Sequence, residues 1–198
     1  MMTFFLLVMT MTQTPTVSEI LQAKYSRNEQ RVQEILAAGI DLNIFEAAAT
    51  GQTDRVRALL GADPALVNAY APDGFFPLAL AVFFGNADTA AALLDAGADV
   101  NMQSHESMKI AALHSALATI KRPDLVKLLL ARGANPNARA AAGLTPLHSA
   151  AQGGDTELAR LLLEKGADVN ARDDRGRSPR DLAAEHGQEA MVRLLTNP

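Results

Sequence analysis

The chain has 198 residues, 48% of them hydrophobic and 20% charged, with a net charge of −4 and no cysteine. That apolar share is enough to build a buried core and excludes a predominantly disordered chain. The missing cysteines exclude disulfides, thiolate nucleophiles, iron–sulfur clusters and cysteine zinc sites, and fit a reducing compartment.

The first segment, residues 1–17, contains a short apolar run from Phe4 to Met9. A bilayer span needs roughly 20 apolar residues. A secretory signal needs an early basic residue and a small-residue cleavage site. The first basic residue here is Lys24 and no such site follows the run. The segment therefore reads as a flexible tail without stable membrane insertion. A cytoplasmic location is expected, with export or membrane association as the alternative if residues 1–12 act as a signal. A further possibility is that Phe4, Phe5, Leu6 and Leu7 lie in a groove of their own molecule.

From residue 18 onward the chain repeats. Asn68 to Asn101 is 33 residues, Asn101 to Asn137 is 36, Asn137 to Asn170 is 33, and Gly154 to Gly187 is 33. Such a period marks a stack of supersecondary units, each completing its core against its neighbours. The pattern divides residues 18–198 into a helical cap at 20–43, units at about 44–76, 77–110, 111–143 and 144–176, and a last unit at 177–198. Six helix pairs are expected. The 20–43 pair lacks the long connecting loop of the others, because Ile20 and Ile44 are only 24 residues apart.

The fifth unit shows why such a repeat folds. Thr145 is a helix cap and Pro146 suits the first helical position. Gly153-Gly154 break the chain, and Asp155 caps a second helix with Leu158, Leu161 and Leu162 on one face. Gly166 supplies a left-handed stop. Just before the third unit Phe76 stands where the threonine belongs. The fourth has Ala111-Ala112 in place of Thr-Pro, and carries extra residues in SHESMK and in Thr119–Asp124. In the last unit Arg180 and Asp181 place polar groups where inner units are apolar or histidine, as suits an end cap.

Thr145-Pro146-Leu147-His148-Ser149-Ala150, with the repeat endings Gly97-Ala98-Asp99-Val100-Asn101 and Gly166-Ala167-Asp168-Val169-Asn170, resembles the ankyrin repeat over residues 20–198. The resemblance implies an all-α ankyrin-repeat solenoid of stacked helix-turn-helix pairs with short β-hairpin or loop fingers. It implies that His114 and His148 are structural posts bonding loop backbone between units. It also implies a concave recognition face made of finger tips and the exposed sides of the first helices, and no cofactor.

By register, the candidate partner-binding residues are Tyr70, Asp73 and Phe75 in the finger that leads into the third unit, and Phe83 and Phe84 at the end of that unit's first helix. His105 and Glu106 lie in the inserted loop, and Leu144 and Gln152 in the fifth unit. The third-unit set is aromatic in a chain with only seven phenylalanines and two tyrosines. Aromatic residues supply much of the energy at protein interfaces. Phe76 is expected to be mostly buried, and Phe83 or Phe84 partly exposed.

No phosphate loop, dinucleotide fingerprint or nucleophile elbow is present. The basic residues are dispersed. Their densest group, Arg172, Arg175, Arg177 and Arg180, is interleaved with aspartates, so no nucleic-acid partner is expected. The expected function is that of a monomeric, non-enzymatic module binding a protein partner. The alternatives are a subunit or inhibitor regulating an enzyme, and an enzyme with an unrecognised site in the groove.

Overall fold

A computed structural model describes residues 18–105, 109–118 and 122–196. Its helices pair as α1 (Glu19–Tyr25) with α2 (Glu29–Ala37), α3 (Ile44–Thr50) with α4 (Thr53–Ala62), and α5 (Pro77–Phe83) with α6 (Ala87–Asp95). Then come α7 (Ala112–Ala118) with α8 (Pro123–Ala131), α9 (Pro146–Gly153) with α10 (Thr156–Glu164), and α11 (Pro179–Glu185) with α12 (Glu189–Thr196). The first helices of successive pairs pack on one another, as do the second helices from α4 onward, giving the two-layer all-α stack that the period implied.

Each pair forms for local reasons that the sequence carries. Ser18, Asn28, Asn43, Asp155 and Ser178 accept a backbone N–H of the following first turn. At Asn43 the cap is reciprocal, with Glu46 Oε2 accepting the Asn43 N–H at 2.8 Å. Phe76 gives α5 no side-chain cap, leaving Pro77 at the first turn to set its start. Gly51 and Gly154 end α3 and α9 in the left-handed conformation, at φ 75° and 70°. Gly153, expected to break the helix with Gly154, stays helical; the break is Gly154 alone, because one left-handed residue suffices to stop a helix.

The core runs the length of the stack. First-helix residues Ala47, Ala48, Leu78, Ala79, Leu113 and Leu147 are buried against second-helix residues Val56, Leu93, Leu125, Leu129 and Leu162. Small alanines let the first helices approach closely, and leucines fill the space between layers. Phe76 is 1% exposed and belongs to this core.

The fingers contain no paired strands among the described residues, only an isolated bridge between Gln103 and Ala111. A backbone bond of the same pattern lies at the base of each finger: Ala71 N to Phe75 O (2.7 Å), Ser104 N to Ile110 O (3.0 Å), Ala140 N to Leu144 O (2.8 Å) and Asp173 N to Arg177 O (3.0 Å). Residues 38–43 form a short link without a finger.

Candidate functional site

Side chains stitch the units together in two directions. At the finger end, earlier units reach forward. Asn68 Oδ1 accepts Asp99 N–H, Asn101 Oδ1 accepts Asn135 N–H, and Asn137 Oδ1 accepts Asp168 N–H, at 2.7–2.9 Å. Asn101 and Asn137 also donate to Gly133 O and Gly166 O. A second forward row links equivalent finger positions: Tyr70 OH to Gln103 O, Gln103 Nε2 to Arg139 O, and Arg139 Nη1 to Arg172 O. At the turn end, later units reach back, with Asn86 Nδ2 donating to Ala48 O and Ala49 O and Arg122 Nη1 to Gly85 O. The finger asparagines were visible as a period; their role as an inter-unit spine needs the coordinates.

The histidine posts follow the same logic. His148 Nδ1 receives the Thr145 backbone N–H at 3.2 Å and lies 2.8 Å from the Thr145 hydroxyl. A backbone N–H can only donate, so Nδ1 is the acceptor. The ring proton therefore sits on Nε2 and is donated to Arg177 O at 3.0 Å. His114 Nε2 faces Leu144 O at 3.4 Å, but its buried Nδ1 has no partner, because Ala111 occupies the threonine position. Burial lowers the pKa of both rings.

On this frame sits an aromatic patch. Phe83 and Phe84, at the end of α5, meet edge to face with ring centres 5.0 Å apart. Tyr25, at the end of α1, covers both, at 6.2 Å from Phe83 and 5.4 Å from Phe84. The Lys24 ammonium lies 5.1 Å from the centre of the Phe84 ring. Tyr25 OH donates to Asp73 Oδ2 at 3.3 Å. Burial and the neighbouring Asp73 carboxylate push the Tyr25 phenol well above its usual range. Asp73 also accepts the Phe75 N–H through its other oxygen. Phe75, Phe83 and Phe84 are half-buried, and Tyr25 is 39% exposed.

The sequence candidates thus fall into separate places. Asp73, Phe83 and Phe84 come together around Tyr25. Tyr70 and His105 form a second group: their rings stack at 3.4 Å, and Tyr70 also packs edge-on against Phe76. Leu144 is half-buried, and its carbonyl faces His114. Gln152 is exposed and lies 3.2 Å from His186 Nε2. Glu106 lies outside the described residues. Tyr25 and Lys24 escaped the sequence reading, which searched for site residues by repeat register. The cap they belong to has no finger to align; the signal available was that Tyr25 is one of only two tyrosines.

Asp173 shows how firmly a finger tip is held. It accepts N–H groups of Arg175 and Arg177 and the Arg177 guanidinium. Against the upward push of burial, the Arg177 and Arg175 bonds hold its carboxyl below the usual range. Among the described residues no group of three His, Asp or Glu side chains is placed to hold a metal ion. No helix among them is long and apolar enough to cross a membrane.

The chain is 45% identical over 74 residues to the E3 ubiquitin-protein ligase hecd-1 of Caenorhabditis elegans, covering 37% of this chain and 3% of that protein. It is 32% identical over 114 residues to the ankyrin repeat, SAM and basic leucine zipper domain-containing protein 1 of Saimiri boliviensis boliviensis, covering 57% and 24%. It is 36% identical over 118 residues to human inversin, covering 59% and 11%. The chain therefore spans only a small part of each of these proteins. The family model for ankyrin repeats in three copies matches residues 44–140 and 113–198, the same stretch over which asparagine spine, histidine posts and helix pairs recur. With that match over well more than half its length, the chain belongs to the ankyrin-repeat family.

Proposed function

We propose that this chain is a non-catalytic module that grips one protein partner through its concave face, centred on the third unit. Ankyrin repeats are in general protein–protein interaction modules. The observation that carries the finer reading is the concentration of Tyr25, Phe83 and Phe84 in one half-buried cluster beside Asp73 and Lys24. Rings that retain exposed edges next to one acidic and one basic group have the composition of an interface anchor with a polar rim. Tyr70, His105, Glu106, Leu144 and Gln152 extend the proposed face along the fingers and first helices. An inhibitor or regulatory subunit of an enzyme is the same reading with an enzyme as partner. The expected compartment is the cytoplasm, with the chain acting as a monomer.

The test is affinity capture from source lysate with the wild-type chain beside a Phe75→Ala, Phe83→Ala, Phe84→Ala variant whose helical content and unfolding midpoint are measured in parallel. A partner captured by the wild type and lost from the folded variant supports the reading. Equal capture by both removes the third unit from the interface.

A further inference from the structure

We propose that the groove between α10 and α12, on the second-helix layer, binds a short, extended, acidic segment of a partner protein. A carboxylate of that segment sits between Arg160 and Arg193. An aliphatic side chain two residues along sits against Leu163, Val169 and Leu194. This surface lies apart from the aromatic patch and does not depend on it.

The groove consists of two adjoining hollows. The first, about 370 Å³, is lined by Thr156, Arg160, Ala190, Arg193 and Leu194. The second, about 460 Å³, is lined by Leu163, Glu164, Ala167 and Val169, and shares Arg160 and Leu194 with the first. The first hollow brings together two guanidinium groups and a hydroxyl, with no carboxylate in its walls. The second is mainly aliphatic, and its added charge is the acidic Glu164. A ligand fitted to both has a negative end and an apolar end, and Glu164 keeps the negative end in the first hollow.

The cations of the groove lack firm partners. Arg160 makes no side-chain hydrogen bond or ion pair among the described residues, although Glu157 and Glu164 lie one turn to either side of it on α10. Arg193 pairs with Glu189 at 3.6 Å, and the two side chains are 72% and 86% exposed. Such an exposed pair contributes little, so Glu189 yields to an incoming carboxylate. The same position, five residues after the cap of the second helix, is Arg57 in the second unit, Ala91 in the third and Lys127 in the fourth. Arg57 is paired with Asp54 at 3.0 Å, whereas exposed Lys127 has no such partner among the described residues. Loosely held cations thus gather at one register on α8, α10 and α12. Like charges so placed repel, and an acidic partner relieves that repulsion.

The dimensions select an extended segment. From Thr156 to Glu164 α10 spans about 12 Å, and four extended residues reach up to about 13 to 14 Å. Alternate residues of an extended chain face the same side, roughly 6.4 to 6.8 Å apart. Long helical side chains lean toward the helix N-terminus, which carries both guanidinium groups toward the Thr156–Ala190 end. Guanidinium groups bind carboxylates through paired N–H donors. An acid and an aliphatic residue two apart therefore fill both hollows, whereas direct neighbours in sequence point to opposite faces and fill only one.

The test is titration of the ¹⁵N-labelled full chain with capped serine pentapeptides, followed by amide chemical shifts. One peptide carries glutamate second and leucine fourth. It is expected to shift the amides of Arg160, Ala167, Val169, Arg193 and Leu194 and to approach saturation by about 10 mM. Glutamine in place of glutamate should weaken binding about tenfold, and so should Arg160→Gln or Arg193→Gln. Glutamate second with leucine third should bind several-fold more weakly. Lys127→Gln makes the same charge change outside the hollows and should weaken binding less than about twofold. The exposed positions of all three cations leave folding intact, which circular dichroism checks. No saturable shift, or equal affinity for the glutamate and glutamine peptides, would overturn the proposal. Equal losses from Lys127→Gln and Arg160→Gln would reduce the effect to a diffuse positive field and overturn it too. Inorganic phosphate binding the same amides as tightly as the peptide would leave a bare anion site. Shifts of these amides on diluting the protein alone would assign the groove to a second copy. Either of these results also overturns the proposal.

Discussion

Replacing Ala111 with threonine should stabilise this protein. In the fifth unit Thr145 gives His148 Nδ1 a hydroxyl at 2.8 Å and its own N–H at 3.2 Å. In the fourth unit Ala111 is 2% exposed, and the equivalent nitrogen of His114 is buried without a partner. A threonine hydroxyl there would satisfy that nitrogen. A hydrogen bond formed by a buried group is worth about 0.5–1.5 kcal/mol net, and a Thr-for-Ala cap about 0.5–2 kcal/mol. The two gains overlap in one hydroxyl, so the combined expectation is about 1 kcal/mol. Ala111→Val adds the same bulk without the hydroxyl, and any overpacking cost cancels in the comparison. The assay is urea unfolding at pH 7.5, followed by far-ultraviolet circular dichroism. Threonine should exceed valine by about 1 kcal/mol in the fourth unit, and Thr145→Val should lose about 1–3 kcal/mol in the fifth. A threonine variant no more stable than the valine variant would refute the assignment of His114 Nδ1 as an unmet acceptor.

Acid should destabilise the stack through the two histidine posts. Their pKa values are lowered by burial, so the folded protein holds them neutral while the unfolded chain takes up protons below its ordinary value near 6.5. Stability is therefore complete above about pH 7 and falls as the pH drops through 6.5, by at most about 1.4 kcal/mol per histidine per pH unit. Unfolding midpoints from pH 8 to 5 check the sign, and the His148→Gln variant should show a shallower fall. Asn137→Ala removes two inter-unit bonds and should cost about 1–3 kcal/mol. Asn170→Ala, whose side chain makes no such bond among the described residues, should change stability by less than about 0.5 kcal/mol in the same denaturation assay. Tyr25→Phe breaks the bond to Asp73 while keeping the ring on Phe83 and Phe84. It should leave global stability within about 1 kcal/mol, and amide exchange at Tyr25 and its neighbours should speed up.

Much of the fold was legible because repetition turns weak local signals into strong ones. The Asn68–Asn101–Asn137–Asn170 spacing, the capping residues Thr145 and Asp155, and the glycine stops each specify one step of a unit, and the copies agree. The site was less legible. Register placed Phe83 and Phe84 at a helix end facing the groove, but it cannot pair residues from units that differ in shape. Tyr25 belongs to the cap without a finger, so no alignment puts it beside Phe84, although the two rings lie 5.4 Å apart. Tyr70 shows the reverse limit. Its position in the sequence is that of a finger residue, but its hydroxyl is spent on Gln103 O and its ring on Phe76 and His105. Which face an aromatic side chain serves is decided by three-dimensional neighbours more than by position in the repeat.

The two-way stitching of the units is not even along the stack. Asn86, Arg122 and Gln188 each donate back to a carbonyl of the preceding unit. The fifth unit has Asp155 at this position, and a carboxylate offers no such donor; it caps its own helix instead. The same junction contains the half-partnered His114. Together these leave the boundary between the fourth and fifth units, among the described residues, resting at its finger end on the Asn137 and Arg139 bonds, with no backward donor at residue 155. Pulled from its ends or warmed, the stack should part there first, into a front block carrying the aromatic patch and a rear block of the most regular repeats. A partner spanning both blocks would act as a splint.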